Sequence, residues 1–155
     1  MKKYVVSILI LVLAYACSNN TTSSGAGGSA SGSASDAKSA EYDSIRGSGK
    51  FTHVDLGAID AKMVEAGKNI YDLKCSACHK LTSEKLVGPG WLGVTNRHKP
   101  EWILNFVTNT DEMIDKDPKA QAMLQVCMVR MPNQHLSDDD ARHILEFMRN
   151  NDQSK

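Results

Sequence analysis

The sequence predicts an all-α domain in the C-terminal two-thirds of the chain, and three observations carry that expectation. Apolar residues beyond residue 50 recur at helical spacing. Several segments there open on a helix-capping side chain or on a proline at the first helical position. No segment shows the period-two alternation of a half-buried strand. The chain has 155 residues. Its first third is too poor in apolar side chains to build a core, so one small domain is expected.

Taken in order, residues 1–16, MKKYVVSILILVLAYA, place Lys2 and Lys3 ahead of an apolar run and then small residues, the pattern of an export signal peptide. The apolar run is shorter than the roughly 20 residues that cross a bilayer. The stretch AYAC fits an Ala-x-Ala cleavage site and also resembles a bacterial lipobox ending in Cys17. It departs from the lipobox in one place, because Ala14 stands where leucine is usual and Leu13 lies one residue earlier. Cys17 has no structural partner nearby and runs straight into a polar tract, so it is expected to be the lipidated N-terminus of the mature protein. Several acyl chains would anchor it firmly, each buried methylene contributing about 0.8 kcal/mol. The expected location is the periplasm or cell surface of a bacterium, on a membrane. Residues 17–49 are dominated by Ser, Gly, Ala and Thr and read as a flexible tether. Such a coil spans about 30 Å and can stretch to on the order of 100 Å. With Lys2 and Lys3 removed, 16 basic residues stand against 18 acidic ones. That near-balance offers no footprint for nucleic acid.

The domain is expected at 50–150, followed by a tail at 151–155. A first helix in IDAKMVEAGKNIYDLK starts from Asp60 as N-cap, with Met63, Ala66, Ile70 and Leu73 on one face. Pro100 opens a second, PEWILNFVTN, in which Trp102 and Phe106 are i, i+4 partners. Asp117 and Pro118 open a third in DPKAQAMLQVCMV. A fourth, LSDDDARHILEFMRN, has Ser137 as N-cap with Asp140 three residues on. Its three acids, Asp138 to Asp140, favour the helix dipole, so they need no docking role.

The chemistry lies in KCSACHK, residues 74–80. A structural zinc site needs four ligands, yet beyond Cys75, Cys78 and His79 the domain's only other thiol is Cys127. A redox dithiol normally opens a helix after a strand, and no strand is expected. A Cys75–Cys78 disulfide would close a tiny loop and leave His79 unexplained. Covalent attachment of a c-type haem accounts for all three residues. Two thiols three positions apart reach the two vinyl edges of one porphyrin, and the next residue brings an imidazole to the iron.

With these residues the chain resembles the class I cytochromes c over roughly residues 58–150. Gly67 and Tyr71 match the positions where that family packs its first helix on its last, with Ile144 and Phe147 as the partners. The GPG at 88–90 resembles the family's segment in which a proline carbonyl, here that of Pro89, accepts a hydrogen bond from the haem histidine. The Met131-Pro132 pair ahead of the Ser137-capped helix resembles the family's distal ligand. The resemblance implies a small cytochrome c fold of about four helices around one haem c. Cys75 and Cys78 would be the thioethers, His79 the proximal ligand and Met131 the distal one. Met128 is the runner-up, with Met123, Met113 and His135 behind it, while Met63 and Met148 read as core.

Trp91 is assigned to the haem pocket. Arg97, His98 and Trp102 have two readings, as propionate contacts or pocket wall on one side and as surface or core residues on the other. Cys127 reads as a small buried apolar residue, and His53 and His143 as surface. Lys74, Lys80, Lys85 and Lys99 either rim the haem edge and steer an acidic partner or form a solvated face. The function implied is that of an electron carrier, not an enzyme, passing single electrons between redox proteins of the membrane or periplasm. The alternatives are a haem subunit of an oxidase or reductase, and a haem enzyme or gas sensor with a labile sixth ligand.

Overall fold

In the computed structural model, residues 43–154 can be described, and they carry six helices and no strand. These are α1 (Ala61–Lys74), α2 (Val94–Arg97), α3 (Pro100–Thr108), α4 (Thr110–Lys116), α5 (Pro118–Cys127) and α6 (Asp138–Gln153). The export signal, Cys17 and most of the tether lie outside the described residues.

The four expected helices are α1, α3, α5 and α6, and their ends follow the capping chemistry. Asp60 accepts from the backbone N–H of Lys62 and Met63. Asp117 does the same for Lys119 and Ala120, with Pro118 behind it. Ser137 and Asp140 form a reciprocal capping box at the start of α6. Two short helices were not foreseen. α2 fills part of the turn-rich stretch after the haem motif, where Asp152 accepts from the N–H of Gly93 and Thr95 and from the Thr95 hydroxyl. α4 continues from α3 after a break at Asn109. Residues expected in the tail therefore belong to the fold, since α6 runs through Gln153 and Asn151 is buried with its amide on the Leu81 carbonyl.

The central packing event is α1 against α6. The buried residues of α1 are Gly67 and Tyr71, whereas Leu73, expected on the inner face, is 85% exposed. The reason is Gly67. A Cβ there would fall within 2.8 Å of the Phe147 Cβ and closer still to the His143 carbonyl, so the helices cross at the one position that carries no side chain. That crossing rotates the inner face toward Gly67 and turns Leu73 outward. Glu146, fully buried on α6, fastens the crossing by accepting from the Asp60 N–H and from Arg142 and Arg149. Leu104, Ile144 and Leu145, at 1% exposure or less, form the centre of the core. Each contributes about 1.5–3 kcal/mol by leaving water.

The seven residues expected to end the tether, 43–49, already lie on the domain. Asn105 of α3, 1% exposed, donates to the carbonyls of Arg46 and Phe51 and accepts from the Phe51 N–H. Gly47 and Gly49 adopt positive φ where the strand of chain passes over Met113 and Asn105. This buried amide, with the Met113 sulfur accepting from the Ser48 N–H and Lys119 donating to the Ser44 carbonyl, holds a segment whose own composition promised no order.

Candidate haem site

The helix α1 delivers Cys75 at its C-cap, and the chain then turns tightly through the motif. The N–H groups of Cys78 and His79 both donate to the Cys75 carbonyl. Beyond it, Gly88 N–H donates to Cys78 O and Trp91 N–H to Lys80 O, so residues 75–91 form a hydrogen-bonded loop. The Tyr71 hydroxyl donates to the His79 carbonyl at 2.6 Å, tying that loop to α1.

His79 is held on three sides. Its Nδ1 lies 2.9 Å from the Pro89 carbonyl, which can only accept, so Nδ1 carries the proton and Nε2 keeps its lone pair. Trp91, buried, stands 5.6 Å away ring to ring. Gly88 lies so close that a Cβ would come within 2.7 Å of Nδ1 and nearer still to Cε1. Burial holds the imidazole pKa below its ordinary range, with the Pro89 carbonyl opposing. A neutral ring with a free Nε2 is the form that binds a metal. Cys75 is buried and its thiol is pushed up to about 11 by that burial, with Lys74 opposing.

An apolar slot opens beside the His79 ring. It has two halves whose walls share His79, Pro89, Phe106, Met123 and Met131. The first half adds Cys78, Val87, Leu124 and Cys127, and the second adds Trp91, Trp102, Ile103 and Met148. His79 and Met131 line both halves. Met128 lines neither; it is 86% exposed, in a left-handed conformation that caps α5. Met113 is fully buried, its sulfur accepting from the Ser48 N–H. His135 is exposed. Cys127, expected to be buried, is half-exposed in the slot wall.

The slot fits a haem. Its walls are carbon-rich, the glycine at 88 clears the face of the His79 ring, and one buried nitrogen within it, His98 Nδ1, has no hydrogen-bond partner. Among the described residues no three His, Cys, Asp or Glu side chains converge on a metal-sized site, and Cys75, Cys78 and Cys127 are free thiols. Several wall residues, such as Phe106, Ile114 and Ala120, carried no signal beyond helical periodicity.

The sequence pattern of the cytochrome c family matches residues 64–152. The chain belongs to the cytochrome c family. It is similar to the solved structure of a cytochrome c from Rhodothermus marinus, with 33% identity, a TM-score of 0.67, and coverage of 69% of this chain and 92% of that one. An engineered form of the Rhodothermus marinus cytochrome matches at 33% identity and a TM-score of 0.65, covering 68% and 91% of the two chains. A third structure shows that engineered protein bound to a carbene intermediate, at a TM-score of 0.62. No curated relative matches the chain. This cytochrome c is a haem c electron-transfer protein, and redox proteins are its partners.

Proposed function

We propose that the chain carries one electron at a time on a haem bonded through Cys75 and Cys78, with His79 and Met131 as the axial ligands. The observation that carries this reading is that His79, Met123 and Met131 are the ligand-type side chains lining both halves of one slot, and that Met131 alone of the two methionines lies outside a helix, in the loop between α5 and α6 that Pro132 keeps extended. A haem supplies an iron that changes oxidation state by one electron, and a His/Met pair raises its potential relative to histidine alone. The protein's part is to keep that shell unchanged. Pro89 fixes the imidazole and raises its basicity, and Gly88 leaves the ring room. Phe106, Trp91 and Met148 exclude water, so little has to reorganise when charge moves. We further propose that Cys17 is lipidated and that the tether lets the domain move between membrane-bound or periplasmic partners; the sequence pattern around Cys17 supports this.

The test is carbon monoxide added to the reduced holoprotein. A closed six-coordinate iron takes up little of it, whereas immediate stoichiometric binding would contradict the carrier and favour an enzyme or sensor with a labile sixth position. Labelling of the expressed protein with radioactive palmitate, abolished by Cys17→Ser, tests the anchor; an unlabelled wild type would refute it.

A further inference from the structure

Five aliphatic side chains stand in solvent around the first half of the slot. Val87 and Val129 line that half and are exposed as well, and Leu86, Val126 and Met128 lie beside them in the chain, also exposed. The two segments that carry them are joined where Lys85 Nζ donates to the Val126 carbonyl. None of the five belongs to the core. Single exposed aliphatics are ordinary on a protein surface, whereas a group of them marks a place of contact. Met128 is the clearest case. It caps α5 at a φ of 60°, a conformation that favours glycine or asparagine, so the methionine there carries strain and gains no burial. The cations of the same face are already engaged. Lys80 pairs with Glu84, Lys74 holds the Gln134 carbonyl, Lys85 holds the Val126 carbonyl, and Arg130 pairs with Asp111 and Asp115. Three carboxylates thus stand among four cations, and the face carries little net charge.

We propose that Leu86, Val87, Val126, Met128 and Val129 dock a redox protein that presents a matching apolar, uncharged face, so that association owes little to charge. The inference rests on the haem reading above. It decides against steering of an acidic partner by Lys74, Lys80 and Lys85, because those side chains are bound to groups of their own chain and their field is largely answered by Glu84, Asp111 and Asp115. A lipid surface fits the patch less well. Side chains that settle in a bilayer interface include tryptophan or phenylalanine beside free lysine and arginine, and this patch has no aromatic ring and few uncommitted cations. The chain from the expected anchor also enters the domain at the other end of α5, where Lys119 holds the Ser44 carbonyl, whereas Val126 and Met128 stand at the helix's C-terminal end. A protein partner suits the small, quickly released contact of an electron-transfer encounter. The aliphatics supply affinity by leaving water, and the absence of strong ion pairs leaves the contact easy to break.

The test uses the mature holoprotein with Cys17→Ser, exported behind an ordinary signal peptide so that no acyl chain can adsorb. The probes are gold electrodes coated with methyl-terminated or carboxylate-terminated alkanethiol monolayers of one length, standing in for an apolar and an acidic partner face. The readout is the rate of electron exchange with the haem at low and at high salt. Fast exchange on the methyl surface, unchanged by salt, is expected, with slower exchange on the carboxylate surface. The double variant Val126→Ser, Met128→Asn should exchange about tenfold more slowly on the methyl surface, since it loses the burial of two aliphatic side chains. Both positions are exposed, and asparagine suits the left-handed cap, so the variant is expected to fold and to keep the wild-type midpoint potential. Fast exchange confined to the carboxylate surface and falling with salt would overturn the proposal in favour of charge steering, and a double variant equal to wild type on the methyl surface would overturn it outright. Flotation of the same protein with neutral phospholipid vesicles, lost in the double variant, would assign the patch to lipid and also overturn it. A preparation without haem absorption would instead strike the reading beneath, a result distinct from a normal haem spectrum with an indifferent variant.

Discussion

The wall of the slot that carries His79 is built from near neighbours in sequence, whereas the wall that carries Met131 is moored by side chains from three distant places. On the His79 side, backbone hydrogen bonds within residues 75–91, the Pro89 carbonyl and Gly88 fix the ring, and Tyr71 ties the loop to α1. On the Met131 side, Lys74 Nζ holds the Gln134 carbonyl and Lys85 Nζ the Val126 carbonyl. Arg130, next to Met131, reaches the Asp111 carbonyl and the Asp115 carboxylate. All three cations are exposed. Contacts made by the backbone within one short loop are stiff, and contacts made by exposed lysine and arginine side chains contribute little. The comparison teaches that the histidine is set by its own loop, whereas the Met131 segment is held by exposed side chains from elsewhere in the chain.

The largest expected effect breaks the stiff wall directly. Gly88→Val puts carbon into the space of the His79 ring, which the Pro89 carbonyl and Trp91 keep from moving aside, and such overpacking costs about 3 kcal/mol. The expected outcome is a sharp fall in the yield of haem-loaded protein, read from absorbance per chain. Next comes Glu146, which secures the α1–α6 crossing behind that wall. Burial alone would raise its pKa, but Arg142, the Asp60 N–H and Arg149 outweigh it and hold the carboxyl below its ordinary value. A depressed folded-state pKa means the contribution is complete above the ordinary glutamate range and is lost as pH falls through the folded value. Glu146→Gln should lose about 2–3 kcal/mol at neutral pH, and thermal melts against pH should show the acid-side decline of the wild type flattened in the variant. Tyr71→Phe removes one hydrogen bond to the His79 carbonyl and should cost about 1 kcal/mol. That corresponds to a melting temperature lower by about 4–8 °C in a domain of this size. The smallest effect sharpens the other side. Arg130→Ala should leave the melting temperature unchanged and yet speed the displacement of Met131 by added imidazole. An unchanged displacement rate would show that the distal loop is as stiff as the proximal one.

Much of the proximal wall was legible in the sequence because its determinants are local. Cys75, Cys78, His79 and Pro89 fall within one short stretch, and Asp60, Asp117 and Ser137 cap helices through neighbouring N–H groups. What escaped is set by long-range packing. Helical spacing puts Leu73 on the inner face, whereas Gly67 places the crossing elsewhere on α1. Residues 43–49 read as tether because their anchor, Asn105, lies more than fifty positions away. The roles of Asp152 and Asn151 were hidden for the same reason, since the segments they hold are remote in the chain. Met131 was distinguishable from Met128 only through the proline after it. The difference in their surroundings, one in the slot wall and the other capping α5 in solvent, is tertiary.

The most direct test of a His79/Met131 haem is the near-infrared spectrum of the oxidised holoprotein, taken on the wild type, Met131→Ala and Met128→Ala. A weak sulfur-to-iron band present in the wild type, abolished in Met131→Ala and retained in Met128→Ala is the result expected. A band that survives the loss of Met131, or is missing from the wild type, would contradict the account.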